Sequence, residues 1–152
     1  MNFTSFELWL IGIAGAAAAL IIPHRFSIWR DRHSRKVSAS ASFRAAVVAE
    51  LGRIYPVVIN WPEDMDTFLR SAFPNLQGAV FQFRHFVPWW DRWRFDRAWL
   101  RFYCAYPGKM DEQCYHHYLG FYDKGTHRQA VGQREALFHK NVRHLLSFAR
   151  ET

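Results

Sequence analysis

Residues 8–22 read LWLIGIAGAAAALII and residues 23–36 read PHRFSIWRDRHSRK. The first string carries no charge, and the second carries Arg25, Arg30, Arg32, Arg35 and Lys36 against Asp31 alone. Extended back through Phe3 and Phe6, the apolar run reaches about 20 residues, which at 1.5 Å per helical residue matches a hydrocarbon layer of ~30 Å. Glu7 is the one charge inside that span, close enough to its end to reach the interface, and Trp9 suits the headgroup level. This order predicts an all-α protein: a single transmembrane helix over 1–23, a basic juxtamembrane stalk over 24–41, and a helical cytoplasmic domain over 42–152.

A cleaved signal peptide is the rival reading, because Ala16 to Ala19 supplies small residues of the kind a signal peptidase accepts. Such a peptide needs positive charge ahead of its apolar core, and no Lys or Arg precedes Arg25. With the cations wholly on the C-terminal side, the positive-inside rule sets the chain N-out and C-in, in the cell inner membrane with its bulk in the cytoplasm. Arg25, Arg30, Arg32, Arg35 and Lys36 then face anionic headgroups, each gaining on the order of 1 kcal/mol. Within the anchor, Gly12 with Ala16 and Gly15 with Ala19 form small-x-x-x-small pairs, the pattern that lets helices approach closely in lipid and form a homo-oligomer.

The net charge of +7 divides unevenly. The segment 24–36 holds +4, the body from Val37 onward holds +4, and Glu7 takes one away. Much of the excess thus serves topology and adhesion to the membrane, and what remains is modest for a nucleic-acid binder. The two cysteines, Cys104 and Cys114, are expected to be reduced in a cytoplasmic domain.

Beyond the anchor the apolar residues recur at helical spacing, with no convincing alternation of the strand type and no internal repeat. A helix over 42–55 collects Phe43, Ala46, Val47, Glu50, Leu51 and Ile54 on one stripe. Asn60 or Trp61, followed by Pro62 and the acids Glu63, Asp64 and Asp66, reads as the start of a second helix reaching Phe73 before Pro74. Asn75 reads as the cap of a third, with Leu76, Val80, Phe83 and Val87 on its inner face. A fourth is expected over 89–106 and a fifth over 133–150, burying Phe138, Val142, Leu145 and Ala149. The region 107–132 is the least periodic, and its aromatic run 115–122 reads as a short helix or an extended segment laid over a bundle of four or five helices.

The fourth helix has two faces. Phe95, Trp99, Phe102 and Tyr106 form an inner stripe, while Arg94, Arg97 and Arg101 share the opposite side with Trp90. Solvent alone explains such a charged face, with local pairs such as Asp91 to Arg94 and Arg92 to Asp96. The chain holds seven Trp, however, and Trp89, Trp90 and Trp93 spread over about 100° of the wheel, so they cannot all turn inward. At least one is expected to meet solvent or a partner, which makes Trp89, Trp90, Trp93, Arg94, Arg97 and Arg101 a candidate partner-binding ridge.

Chemistry-bearing motifs are weaker. Cys104, Cys114, His116, His117 and His127 share one stretch, yet the cysteines are ten positions apart and adjacent histidines diverge, so the spacing does not match a zinc clamp and no metal or other cofactor is implied. No activated-serine elbow, His-Glu-x-x-His or Gly-rich phosphate loop is present, so catalytic residues are not assigned and an enzyme is the weakest class. Glu50, beside its apolar stripe, is expected to pair with Arg84, Arg97 or Arg134. The layout resembles that of accessory subunits of membrane complexes and of anchored effectors in anti-phage defence. The expectation is an interaction or accessory protein that docks a protein partner at the cytoplasmic membrane face. The alternatives are an effector that oligomerises through its anchor to disturb the bilayer, and a tethered nucleic-acid binder.

Overall fold

The computed structural model describes the backbone of residues 5–58, 61–108, 112–119 and 127–150, and the side chains of those from Arg25 onward except Phe26 and 127–131. Five helices occur among the described residues: α1 (Ser5–Leu51), α2 (Met65–Arg84), α3 (Arg92–Tyr103), α4 (His116–Leu119) and α5 (His127–Leu146). They carry no strand, only one isolated bridge between Cys104 and Cys114. The protein is all-helical, as the periodicity predicts.

The chain divides into two compact units, Met1–Val37 and Ser38–Thr152, with the division inside α1. In the first unit, Arg25, Arg30, Arg32 and Arg35 are exposed and Lys36 is half-buried, while Trp29 stacks on His33 with centroids 5.6 Å apart. Among the described residues no helix is long and apolar enough to cross a membrane. The anchor expected over 1–23, with Gly12, Gly15, Ala16 and Ala19, consists of residues whose side chains lie outside the described ones. Its backbone is helical from Ser5.

In the second unit the expected stripes become the core. Phe43, Val47, Leu51 and Ile54 are buried, as are Leu76, Val80, Phe83 and Val87, and Phe138, Val142, Leu145 and Ala149. α3 packs on α5 and α2, and α4 rests on the same two helices. The centre is aromatic: Phe43 stacks on Phe83 at 4.7 Å, Phe95 meets both edge-on, and Phe102 contacts Tyr115, Tyr118 and Phe138. Offset and edge-to-face pairs of this kind add about 0.5–1.5 kcal/mol each beyond the burial of their area.

Four boundaries differ from expectation. The helix predicted over 42–55 is the last part of α1, because the small residues 38–42 carry no Gly or Pro and continue the helix. The helices predicted to meet at Pro74 are one, α2, which passes through that proline. Pro costs one backbone hydrogen bond there, but Leu69, Ala72, Leu76, Val80 and Phe83 stay on one buried face across it and outweigh the loss. Asn75 is therefore no cap; its Nδ2 donates to Glu50 Oε1 at 2.7 Å, so the carboxylate expected to find an arginine takes an amide instead. α2 begins at Met65, because Asp64 caps it by accepting from Thr67 N at 2.9 Å and Thr67 Oγ1 at 2.6 Å, bonds that lower the Asp64 pKa. Its expected start at Asn60 falls outside the described residues, and Pro62 precedes the helix. Tyr106 leaves the inner stripe of α3 for the surface, since that helix ends at Tyr103.

Candidate functional site

α2 and α3 are joined by a seven-residue connection, 85–91, and its local hydrogen bonds decide what it displays. Phe86 N–H donates to Phe83 O and Val87 N–H to Arg84 O, which close α2 tightly. Asp91 N–H then donates to Pro88 O at 2.9 Å, making a four-residue turn with Trp89 and Trp90 at its two corners. Corner side chains point away from the chain on both sides, so neither indole can reach the core. Trp89 is 76% exposed and Trp90 59%, in T-shaped contact with each other at 5.7 Å. Trp93, on the first turn of α3, is 61% exposed, and Phe86 adds a fourth exposed ring. At least one outward Trp is expected among the three, and all of them are exposed, two on the turn and one on α3.

Arg94, Arg97 and Arg101 are exposed along α3 next to these indoles. Arg94 Nη1 pairs with Asp91 Oδ1 at 3.3 Å, as expected from their spacing. The second local pair does not form: Asp96 takes both its bonds from Arg84, at 2.7 and 2.8 Å, while Arg92 Nε donates to Val87 O. The reason is geometric, since Arg84 at the end of α2 meets the Asp96 carboxylate with two parallel N–H groups, a fork that a neighbour on the same helix cannot present. That bond ties the last turn of α2 to α3 and so fixes the connection between them. Among the described residues no ion pair holds Arg97 or Arg101.

One member of this surface escaped the sequence reading. His144 on α5 has its pKa lowered by partial burial and by the positive charges of Arg101 and Arg94. The ridge therefore borders α5, and its cations on α3 disfavour protonation of that imidazole. Only the tertiary pairing of α3 with α5 reveals it; no spacing in the sequence could.

The Cys and His stretch is dispersed in function. Cys104 and Cys114 are reduced and bridged through their backbones, His116 is exposed and His117 is largely buried, and His127 lies among residues whose side chains are not described. Burial pushes His117 down to about 4, against weak opposition from the nearby carbonyls of Phe102 and Arg101. Among the described residues no three His, Cys, Asp or Glu side chains converge as a metal site would require. The aromatic run expected over 115–122 contributes α4, and Tyr115 and Tyr118 enter the core with their hydroxyls satisfied by Gln113 and Asn141. Desolvation raises both phenols, Tyr115 to about 12. Arg134 Nη1 donates to Leu119 O, which ties α5 to the end of α4. Buried and hydrogen-bonded, the two phenols hold the fold.

No known protein family, curated protein or solved structure matches this chain.

Proposed function

We propose that this protein is a membrane-anchored interaction module: residues 1–23 hold it in the inner membrane, and its cytoplasmic domain docks a protein partner through Trp89, Trp90, Trp93, Arg94, Arg97 and Arg101. One observation carries the reading. Three indoles stand mostly in solvent close together, Trp89 and Trp90 on the connection and Trp93 on the first turn of α3, beside the Arg84–Asp96 fork. Exposing indole is unfavourable, and several together, on the order of a few hundred Å² of apolar surface, mark an interaction site. Trp and Arg are also the residues that dominate binding energy where they are buried by a partner.

The arginines define the partner's chemistry. A complementary surface offers apolar pockets for the rings and carboxylates for Arg97 and Arg101, which lack a competing internal acid among the described residues. Its charges accelerate encounter, and the indoles prolong the complex once formed. The anchor half rests on the uncharged run 8–22 and the cations that follow it.

Two measurements test the halves separately. Fractionation and protease protection should find the chain in the membrane, resistant to carbonate, with its body shielded from protease on the outer side; release by carbonate overturns the anchor. A photo-crosslinking residue placed at Trp90 or Arg97 should give one dominant protein adduct, and the same probe at Ser71 on the outside of α2 should not. That adduct should disappear on changing Trp89, Trp90 and Trp93 to Ala while the protein stays in the membrane fraction. Equal adducts at all three probe positions overturn the docking surface. Self-association through the anchor is a separate consequence of Gly12 and Gly15: replacing both by Leu should weaken any crosslinked oligomer.

A further inference from the structure

After α3 the chain leaves the helix and returns alongside itself. Cys104, the last residue of that turn, is extended (φ −122°, ψ 118°), and its N–H is spent on Leu100 O at 2.8 Å. Gly108, with φ 84°, takes a left-handed conformation that favours glycine. Cys114 then lies beside Cys104: its N–H donates to Tyr103 O at 2.8 Å and its carbonyl accepts from Ala105 N–H at 3.0 Å. These two bonds flank Cys104 and make the two cysteines partners in a parallel bridge. Paired residues in neighbouring strands stand about 4.7–4.9 Å apart with their side chains on the same side, inside the span of about 4.4–6.8 Å between α-carbons that a disulfide requires. The sequence separation alone gave no sign of this, because ten positions can bring two residues together or hold them far apart.

We propose that Cys104 and Cys114 are a thiol pair that closes reversibly into a disulfide across this bridge, taking a small disulfide such as oxidised glutathione as oxidant. The two sulfurs differ in access, which orders the steps. Cys114 is half-buried and reachable, whereas Cys104 is buried. The Cys114 thiolate attacks one sulfur of the oxidant, forming a mixed disulfide and releasing one glutathione thiolate. The Cys104 thiolate then attacks Cys114 Sγ and displaces the second glutathione. The protein gives up two electrons and two protons in all, and the oxidant becomes two thiols.

Closure has a structural consequence because Tyr115 follows at once, fully buried, with its hydroxyl toward Leu69 O and within a hydrogen bond of Gln113. A covalent link at 104–114 clips the start of the aromatic segment to the end of α3. On the cytoplasmic side the reduced pair is the resting form and the clip responds to oxidation, but the chemistry is independent of which side the domain occupies.

The test uses the full chain in detergent, equilibrated with mixtures of reduced and oxidised glutathione, alkylated, denatured and digested with trypsin without reductant. Cleavage after Arg101, Lys109 and Lys124 separates the two cysteines onto different peptides. The expected result is that oxidation joins peptides 102–109 and 110–124 into one species in monomeric protein, with loss of both alkylatable thiols, and that reductant restores both. Cys104→Ser should leave Cys114 as a glutathione adduct. Cys114→Ser should leave Cys104 a thiol, so a folding defect in one variant does not remove the other arm. Two separate peptides at the most oxidising ratio, or linkage found only in covalent dimers, overturns the proposal.

Discussion

Phe95 and Trp93 lie two residues apart on α3, yet Phe95 is sealed within the core and Trp93 stands mostly in solvent. The same contrast divides the domain as a whole. In the bundle, Phe43, Phe83, Phe95, Phe102 and Phe138 pack ring against ring with full burial; between residues 86 and 93 four large rings, Phe86, Trp89, Trp90 and Trp93, stand exposed. The difference lies in spacing, not composition. Rings set three, four or seven positions apart converge on one helical face, while rings set in adjacent turn corners must diverge. An aromatic-rich chain therefore devotes one part of its rings to folding and leaves another exposed.

The largest effect that sharpens this contrast is expected at Phe95. Phe95→Ala should cost about 3–5 kcal/mol of unfolding free energy in urea titrations followed by circular dichroism, whereas Trp93→Ala should cost no more than about 1 kcal/mol. Comparable losses at the two positions would break the distinction between buried and exposed rings.

Next comes acid. His117 has a folded pKa of about 4 against 6.5 as its ordinary value, so between those values the unfolded chain binds a proton that the folded chain refuses. Stability is unaffected above the higher value, falls as pH drops through the window, by up to about 3 kcal/mol, and levels off below the lower one. His117→Phe should flatten that part of the pH profile, and an unchanged slope would show that other groups set it.

A smaller loss is expected at the aromatic segment. Asn141 Nδ2 donates to the buried Tyr118 hydroxyl at 2.8 Å, so Asn141→Ala should cost about 1–2 kcal/mol by leaving that oxygen unsatisfied. Tyr118→Phe in the same background should recover part of it, which distinguishes a lost hydrogen bond from lost packing. Least of all, changing Arg94, Arg97 and Arg101 together to Gln should shift stability by at most about 1 kcal/mol, since the Arg94–Asp91 pair is exposed and such pairs contribute little. A larger drop would place the ridge among the residues that hold the bundle together.

The buried stripes were legible in sequence because burial of a helical face leaves a period that survives in one dimension. Phe43, Val47 and Leu51, or Phe138, Val142 and Leu145, need nothing beyond their spacing to be read. Where a local rule met a tertiary one, the local rule lost: Pro74 should end a helix, but the apolar face running from Leu69 to Phe83 carries α2 through it. Partner choice was least legible. Arg84 meets Asp96, Glu50 meets Asn75, His144 comes under the charge of the α3 arginines and Cys104 meets Cys114 only after the helices pack, because each pair joins different elements or the two ends of an irregular segment. For the site, the outward Trp and the exposed Arg followed from the wheel, while the turn that ejects Trp89 and Trp90 together depended on the Pro88 to Asp91 bond.

The placement of the indoles also determines what light reports about this protein. Among the Trp side chains described, Trp99 alone is buried and Trp61 is intermediate, while Trp29, Trp89, Trp90 and Trp93 stand in water. Most of the intrinsic fluorescence accordingly originates at the surface, where emission is already shifted to the red and dissolved quenchers have access before any unfolding. Loss of the native core alters the environment of one or two emitters, but a bound macromolecule covering residues 89–93 alters three at once. A titration monitored at the blue edge of the spectrum thus follows association more strongly than denaturation, with no dye attached.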